Sequence, residues 1–522
     1  VRLTIDTAVQ FFPRGGSAQV IRYLAADLTG RGHTCRILCG SLGQPGQFSH
    51  AETFYQNLPV TAMDYTPAAD AYARGGSAMD GQAAPFHPSF EDRGPDAPDR
   101  MFTAVTAPTT AHLVNAWAQH LISRRSQRPD VVHVHHLSHL QAAVARAYPG
   151  IPRVTTFHGT DLKLLDQAQQ HTRLAARTGV SLEQLARACR HPDPGARHDA
   201  LEQLLPRELE AALRERVHAL DWRHWSHADS WVALMNAYAR QAGRIVTVST
   251  SDQAEVERLL GLPAPQVTVI GNGVDTTRFV PQHLTVGQKL ALLRHWLVDD
   301  PQGWAPGQMP GSIRYTDEDL AAMLTPDGQL RPIILWIGRY QQVKRLNVLL
   351  EAFATTIKET SPAPILLLWG GYPGENEGEH PYEAARRLGI DRHVYLIGWR
   401  GHDELPAGLN CADLMAAPAV NESFGMVYIE AAACGVPPIA TSTGGPATLI
   451  TARGPQADGW LVAPDDVADL AAALTSALAD PAERTRRSAN GVDHVRRDYA
   501  WPRVADRYQQ VYQEVMQQQP KA

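Results

Sequence analysis

The stretch NESFGMVYIEAAACGVPPIATSTGGP, residues 421–446, follows the apolar run LMAAP (414–418) and itself contains a second one, PPIAT (437–441). Between the two runs, Gly425 opens a helix-like segment, GMVYIEAAACG, which Gly435 and the prolines 437 and 438 close. Strand, helix and strand within so few residues read as a crossover unit, and crossover units build parallel sheets. The segment carries two carboxylates, Glu422 and Glu430, and no other charged side chain. Glu422 precedes the helix start, where free backbone N–H groups and the helix dipole favour an anion; Glu430 lies more than one turn inside. Taken singly, each acid could be an electrostatic cap or an exposed helical glutamate. Together they suit hydroxyl groups on either side of a bound anion.

Working outward, the same rhythm recurs. PIILWIG (332–338), PILLLWG (364–370) and HVYLIG (393–398) read as further strands, with helices at 344–358, 381–388, 425–434 and 466–479. An earlier series, LTIDT (3–7), TCRILCG (34–40), DVVHVHH (130–136), PRVTTFHG (152–159) and RIVTVST (244–250), alternates with helices that include 17–31, 111–124 and 251–260. The expected fold is α/β, with two Rossmann-like doubly wound sheets facing a cleft, and ligands bind beyond the carboxyl ends of such strands. Residues 1–280 are assigned to an N-terminal domain with a long loop near 66–110 and a polar helical insertion near 161–240 that carries Trp222, Trp225 and Trp231. Residues 281–330 read as a linker or insertion, 331–500 as the C-terminal domain, and 501–522 as a terminal helix returning to the N-terminal domain.

Composition narrows the function classes. With 522 residues, 44% hydrophobic and 20% charged, the chain has the makeup of a globular protein with large cores. Its 48 basic against 54 acidic side chains argue against a broad nucleic-acid footprint. Five cysteines without a Cys-x-x-Cys pair fit a reduced, cytoplasmic setting. No apolar run reaches membrane-spanning length, and VRLTIDTAVQFFPRGG alternates like a strand rather than a signal peptide. Peripheral membrane contact and oligomeric state stay open.

Further motifs carry chemistry. In GRYQQVK (338–344), Arg339 and Lys344 flank a strand-to-helix junction, where a guanidinium fork and an ammonium can neutralise a diphosphate. A merely solvated basic helix start would oppose the dipole. Gly15 and Gly16 follow the first strand and precede a helix, allowing close backbone approach to a phosphate, although a plain turn fits equally. DVVHVHHLSHL holds His133, His135, His136 and His139, with His133 and His135 on one strand face and His135 near its carboxyl end. A metal site is the alternative for this cluster, but no carboxylate or cysteine stands at a recognised ligand spacing. His158 ends the next strand and is a second pocket candidate.

The Glu-x7-Glu segment with GVPPIATSTGGP resembles the signature of retaining glycosyltransferases of family four, which have the two-Rossmann GT-B fold. PRGGSAQVIRYLAADLTGRGH (13–33) resembles the family's first glycine loop and helix, VTVIGNGVDTTRF (267–279) its hinge, ILWIGRYQQVKRLNVLLEAF (334–353) its basic phosphate motif, and YAWPRVADRYQQVYQEV (499–515) its terminal helix. The resemblance implies a hexosyltransferase-type enzyme that uses a nucleoside-diphosphate sugar without a metal or other cofactor. It implies Glu430 on the ribose, Glu422 on the transferred sugar, and amides of Ser423, Phe424, Gly425 and Met426 in oxygen contacts. Arg339 and Lys344 would stabilise the leaving diphosphate, His135 would lie near the sugar, and Gly15 and Gly16 would meet the donor phosphate. Gly398, Trp399 and Arg400 in YLIGWRGHDELP (395–406) would border the base. The acceptor would be a small molecule or a glycoconjugate. Arg345 stands where a glycine is common in the family, WGGYPGENEGEH (369–380) is longer and more acidic than its usual turn, and Thr448 replaces a frequent acid. A phosphorylase or sugar-nucleotide epimerase on the same fold, and a catalytically degenerate sugar-binding protein, are the rival readings.

Overall fold

The computed structural model describes residues 2–124 and 127–518. The chain divides into two compact units: one comprises the residues up to Val248, Asp252–Ile270 and those from Ala505 on, the other Ser249–Ser251 and Gly271–Val504.

The first unit holds a seven-stranded parallel sheet of β1 (Thr4–Ala8), β2 (Thr34–Ser41), β3 (Val60–Asp64), β4 (Val131–His135), β5 (Arg153–Phe157), β6 (Arg244–Thr247) and β7 (Val267–Val269). Their order is β3-β2-β1-β4-β5-β6-β7, so the winding reverses between β1 and β4. The central strands are apolar on both faces because helices cover both; Ile5, Val132, Val134 and Val154 are fully buried.

The second unit repeats the plan with β8 (Ile333–Gly338), β9 (Ile365–Gly370), β10 (Val394–Gly398), β11 (Leu414–Ala417), β12 (Pro438–Thr441) and β13 (Trp460–Val462). All pairs are parallel, and the order β10-β9-β8-β11-β12-β13 reverses between β8 and β11. Each reversal opens a crevice at the carboxyl ends of two strands within its own sheet, the place where doubly wound sheets bind ligands.

Three expectations are corrected. The 66–110 segment is not a bare loop. It begins with a helix, Thr66–Ala73, forms a bridge between Ser89 and Met101, and buries Phe86 and Phe102. Scattered aromatic residues anchor what its Pro and Gly content made look open. Residues 281–330, expected as a linker or an insertion, are no linker: they belong to the second unit. Helices Val286–Arg294 and Asp317–Ala321 start with capping boxes, Thr285/Gln288 and Thr316/Asp319, and Trp296 donates to Glu404 at 2.9 Å. The first part of the N-terminal unit ends at Ile270 rather than at 280, and the chain rejoins the unit from Ala505.

Residues 160–241 form five helices between β5 and β6. Trp225 stacks on His171 at 4.0 Å and Trp231 on Phe102 at 4.4 Å, which ties this insertion to the 66–110 segment. The last helix, Trp501–Gln517, lays Tyr508 and Tyr512 against the first sheet, with the Tyr512 hydroxyl 2.8 Å from Nδ1 of His133. Among the described residues no helix is long and apolar enough to cross a membrane.

Candidate functional site

At the crevice of the second sheet, the chain leaves β8 at Gly338, passes Arg339 and turns through a short 3-10 helix, Gln342–Lys344. The Val420 amide donates to the Val343 carbonyl at 2.8 Å, which fastens this turn to the loop after β11. The juxtaposition places Lys344 Nζ 2.5 Å from Glu422 Oε2, both side chains about three-quarters buried. Next to Lys344, Arg345 adopts a left-handed conformation (φ 51°) and pairs with Asp465, a partner that the sequence spacing did not announce. Arg339, half exposed, lies 3.3 Å from Glu375 in the acidic 369–380 turn, and Glu377 of the same turn accepts from the Gln342 amide at 2.9 Å. The unusual acidic loop therefore folds back on the basic motif.

Glu422 to Met426 form a tight loop held from behind by the GGP motif. The Gly445 amide donates to the Glu422 carbonyl at 2.7 Å. A Cβ on Gly444 would come within 2.6 Å of that carbonyl oxygen, and one on Gly445 within 2.5 Å of the Ser423 oxygen. Only glycine permits this backbone-on-backbone packing. Gly425 (φ 89°) then opens the helix Met426–Ala433, which no side chain caps. Ser423 and Met426 are half-buried and Phe424 is buried, its ring 5.9 Å from that of Tyr499. Glu430, on the buried side of this helix, meets Nε2 of His402 at 2.7 Å. His402 is the chief omission of the sequence reading. It lies four residues beyond β10, in the turn already singled out, but nothing in the spacing ties it to Glu430.

Arg400 is corrected. Its side chain is 2% exposed and points inward, bonded to Asp300 at 3.0 Å and to the Trp296 carbonyl at 3.1 Å, so it braces residues 296–300 rather than facing a ligand. Trp399, beside it, is 56% exposed.

At the crevice of the first sheet the chemistry differs. Gly15 (φ 64°) and Gly16 are exposed at the start of the helix Gly15–Gly30, behind Arg14, whose guanidinium lies over Phe12 at 5.0 Å. β4 ends at His135, which is fully buried. Its Nδ1 is 2.9 Å from Nε2 of His158, whereas its own Nε2 is buried without a protein partner. Burial, with neighbouring imidazoles adding to it, holds both His135 and His158 well below the ordinary histidine range, so both rings are neutral. Asp161 organises the turn: it accepts from the amides of Leu137 and His158 at 2.8 and 2.9 Å and meets His136 at 3.1 Å. Burial opposes its charge, but His136 and these amides outweigh burial and hold its carboxyl below the usual range. His133 bonds Tyr512 and Thr156, and His139 lies 3.3 Å from Thr110, so these two are packed into the fold.

All five cysteines are buried and unbridged, and burial pushes the Cys35 and Cys411 thiols up to about 11 and about 12, which leaves them poor nucleophiles. A cavity of about 760 Å³ in the first unit lies elsewhere, between the 66–110 segment and the helical insertion, lined by Tyr72, Arg100, Arg190, Arg223 and His227 among others.

Comparison with known proteins places these features. Residues 14–193 and 198–278 match the sequence model of Glycosyltransferase Family 4, and residues 327–494 that of Glycosyl transferases group 1. A D-inositol 3-phosphate glycosyltransferase of Corynebacterium kroppenstedtii is 34% identical over 215 residues, 40% of this chain and 46% of that one. The chain thus spans about half the length of that curated relative. A glycogen synthase of Mycobacterium tuberculosis is 26% identical over 390 residues, 74% of this chain and 69% of that one. The solved structure of Anabaena HepE in complex with UDP and glucose superposes with a TM-score of 0.56 at 17% identity, covering 98% of this chain and all of that one. At that identity the likeness bears on the fold, which is GT-B.

Proposed function

The chain belongs to glycosyltransferase family 4, and from that premise we propose that it transfers a sugar, with retention, from a nucleoside-diphosphate donor to a hydroxyl-bearing acceptor. The observation that carries this reading is the Lys344–Glu422 pair in the crevice of the second sheet, beside an uncapped helix start. An ammonium and a carboxylate in contact can separate onto a ligand that has both an anionic and a hydroxyl-bearing part, and a sugar diphosphate has both. Lys344 and Arg339 then neutralise the diphosphate, the first amides of Met426–Ala433 add their dipole, and Glu422 accepts from a sugar hydroxyl. Glu430, fixed by His402, accepts from ribose hydroxyls, and Trp399 offers an exposed ring to the base. The UDP in the Anabaena structure supports this donor class. In the N-terminal unit the unpartnered Nε2 of His135 is the contact for a further substrate hydroxyl, since a buried polar nitrogen calls for a partner.

In the reaction the bond from the anomeric carbon to the phosphate oxygen breaks, and a bond from that carbon to the acceptor oxygen forms on the same face. The acceptor proton passes to an oxygen of the leaving diphosphate, whose charge the two fixed cations carry. No metal or other cofactor is needed for this sequence. The test is thermal shift and calorimetry against UDP, GDP, ADP and TDP and their sugar conjugates, followed by proton NMR of the product's anomeric configuration. Selective binding of one nucleotide with a retained anomer supports the reading. A sugar 1-phosphate formed only with inorganic phosphate would make the protein a phosphorylase instead, and an inverted anomer would overturn retention.

A further inference from the structure

Within the helical insertion, far along the sequence from either crevice, two imidazoles and a carboxylate converge. His198 and Glu202 stand one turn apart on the helix Pro194–Leu204, and His218 ends the helix Ala211–His218. One ligand atom from each lies within 4.8 Å of the other two. His218 Nε2 is 2.6 Å from Glu202 Oε1, and the rings of His198 and His218 are 4.3 Å apart, inclined by 31°. The second oxygen of Glu202 is held by Arg214 at 2.6 Å, which fixes the carboxylate plane. A surface ion pair accounts for His218, Glu202 and Arg214; the ring of His198 brings a second imidazole nitrogen to the same place.

We propose that His198, Glu202 and His218 form a site for a divalent transition metal of the zinc type, with water completing a four-coordinate shell. Two nitrogen donors and one carboxylate oxygen suit zinc, cobalt or nickel better than magnesium or calcium, which take oxygen donors. Metal–ligand bonds of about 2.0–2.2 Å set ligand atoms a little over 3 Å apart in a tetrahedron. Small side-chain rotations reach this from the present arrangement: the His218–Glu202 contact opens and His198 swings inward. The purpose is structural. The two helices have 11 and 8 residues, lengths at which helices are marginal alone, and the metal would pin one to the other. The inference is independent of the donor chemistry above.

The experiment takes the full chain, stripped with a chelator, and titrates it with zinc by calorimetry and with cobalt by visible absorption at neutral pH. One equivalent should bind, cobalt should give the intense ligand-field bands of a four-coordinate site, and saturating zinc should raise Tm by roughly 5 °C. His198→Ala and, separately, His218→Gln should each weaken binding at least tenfold and abolish the Tm rise. His198 is exposed, so its replacement leaves the fold intact and the comparison valid. Failure of the wild-type chain to bind either metal, or binding of undiminished affinity in both variants, overturns the proposal.

Discussion

The two crevices are built on the same strand order and yet hold opposite chemistry. In the first sheet the residues at the winding reversal are imidazoles packed among aromatic rings, with burial holding His135 and His158 well below the ordinary histidine range and with Phe11 5.4 Å from His136 and Phe90 at the same distance. In the second they are ions in pairs, Lys344 with Glu422, Arg339 with Glu375 and Arg345 with Asp465, each at least partly open to solvent. A buried neutral ring offers one fixed hydrogen bond and does not reorganise. An ion pair that keeps about a quarter of its surface in solvent, as Lys344 and Glu422 do, can exchange its partner for a ligand that is both anionic and hydroxyl-bearing. One topology can thus present a rigid contact at one site and an exchangeable charge at another, with side-chain burial setting the difference.

The comparison can be broken most directly at Lys344. If the ion pairs carry the reaction, Lys344→Ala lowers kcat by about 10²–10³ while circular dichroism stays unchanged; a drop below threefold in steady-state turnover removes the charged crevice from the mechanism. A smaller effect is expected at Glu430→Ala, which should weaken donor binding roughly 10–100-fold by calorimetry, with His402→Ala moving it in the same direction. Equal affinity in both variants would return Glu430 and His402 to a packing role.

Acid provides the next contrast. His87, His133 and His139 are buried in the first unit and pushed down to about 4, about 3 and about 3 by burial, and His135 and His158 are lowered as well. Below about pH 6.5 the unfolded chain takes up protons that these rings refuse in the fold. Their contribution is therefore present above that pH and is lost as pH falls toward the folded values, at up to about 1.4 kcal/mol per pH unit for each ring. In the second unit burial lowers only His380 and His393 among the described histidines. Hydrogen exchange at pH 5 against pH 7 should show residues 131–157 opening before 365–398; the reverse order would contradict the burial argument.

The smallest effect separates the glycine loops. Gly15 faces open space, so Gly15→Ala meets only the strain of a positive φ, about 1 kcal/mol in chemical denaturation. Gly445→Ala drives a methyl group into backbone and should cost more than that and displace Glu422.

Much of this was legible in the sequence, for identifiable reasons. Runs such as IILWIG and ILLLWG mark strands buried on both faces, and every central strand was readable. The strands that escaped, β3, β7 and β13, all lie at sheet edges, where three to five residues with one face half exposed leave no periodic trace. Glu422 and Glu430 stood out as the sole charged residues of an apolar, glycine-rich segment, and Lys344 as the end of a basic motif at a strand-to-helix junction. The direction of Arg400 escaped the sequence, since its partner Asp300 lies 100 residues away in a segment read as a linker or insertion. His402 and Asp161 escaped for a related reason: side chains that position other side chains have no spacing rule of their own.

The helix that lays Tyr512 on His133 joins positions 379 residues apart. On a ribosome adding about 5–20 residues per second, the first sheet waits roughly 20–75 s for that hydroxyl after His133 has emerged. The unit made first is therefore completed last. Until then His133 keeps its contacts with Thr156 and with the ring of His135, 4.1 Å away, but its Nδ1 waits for the Tyr512 hydroxyl.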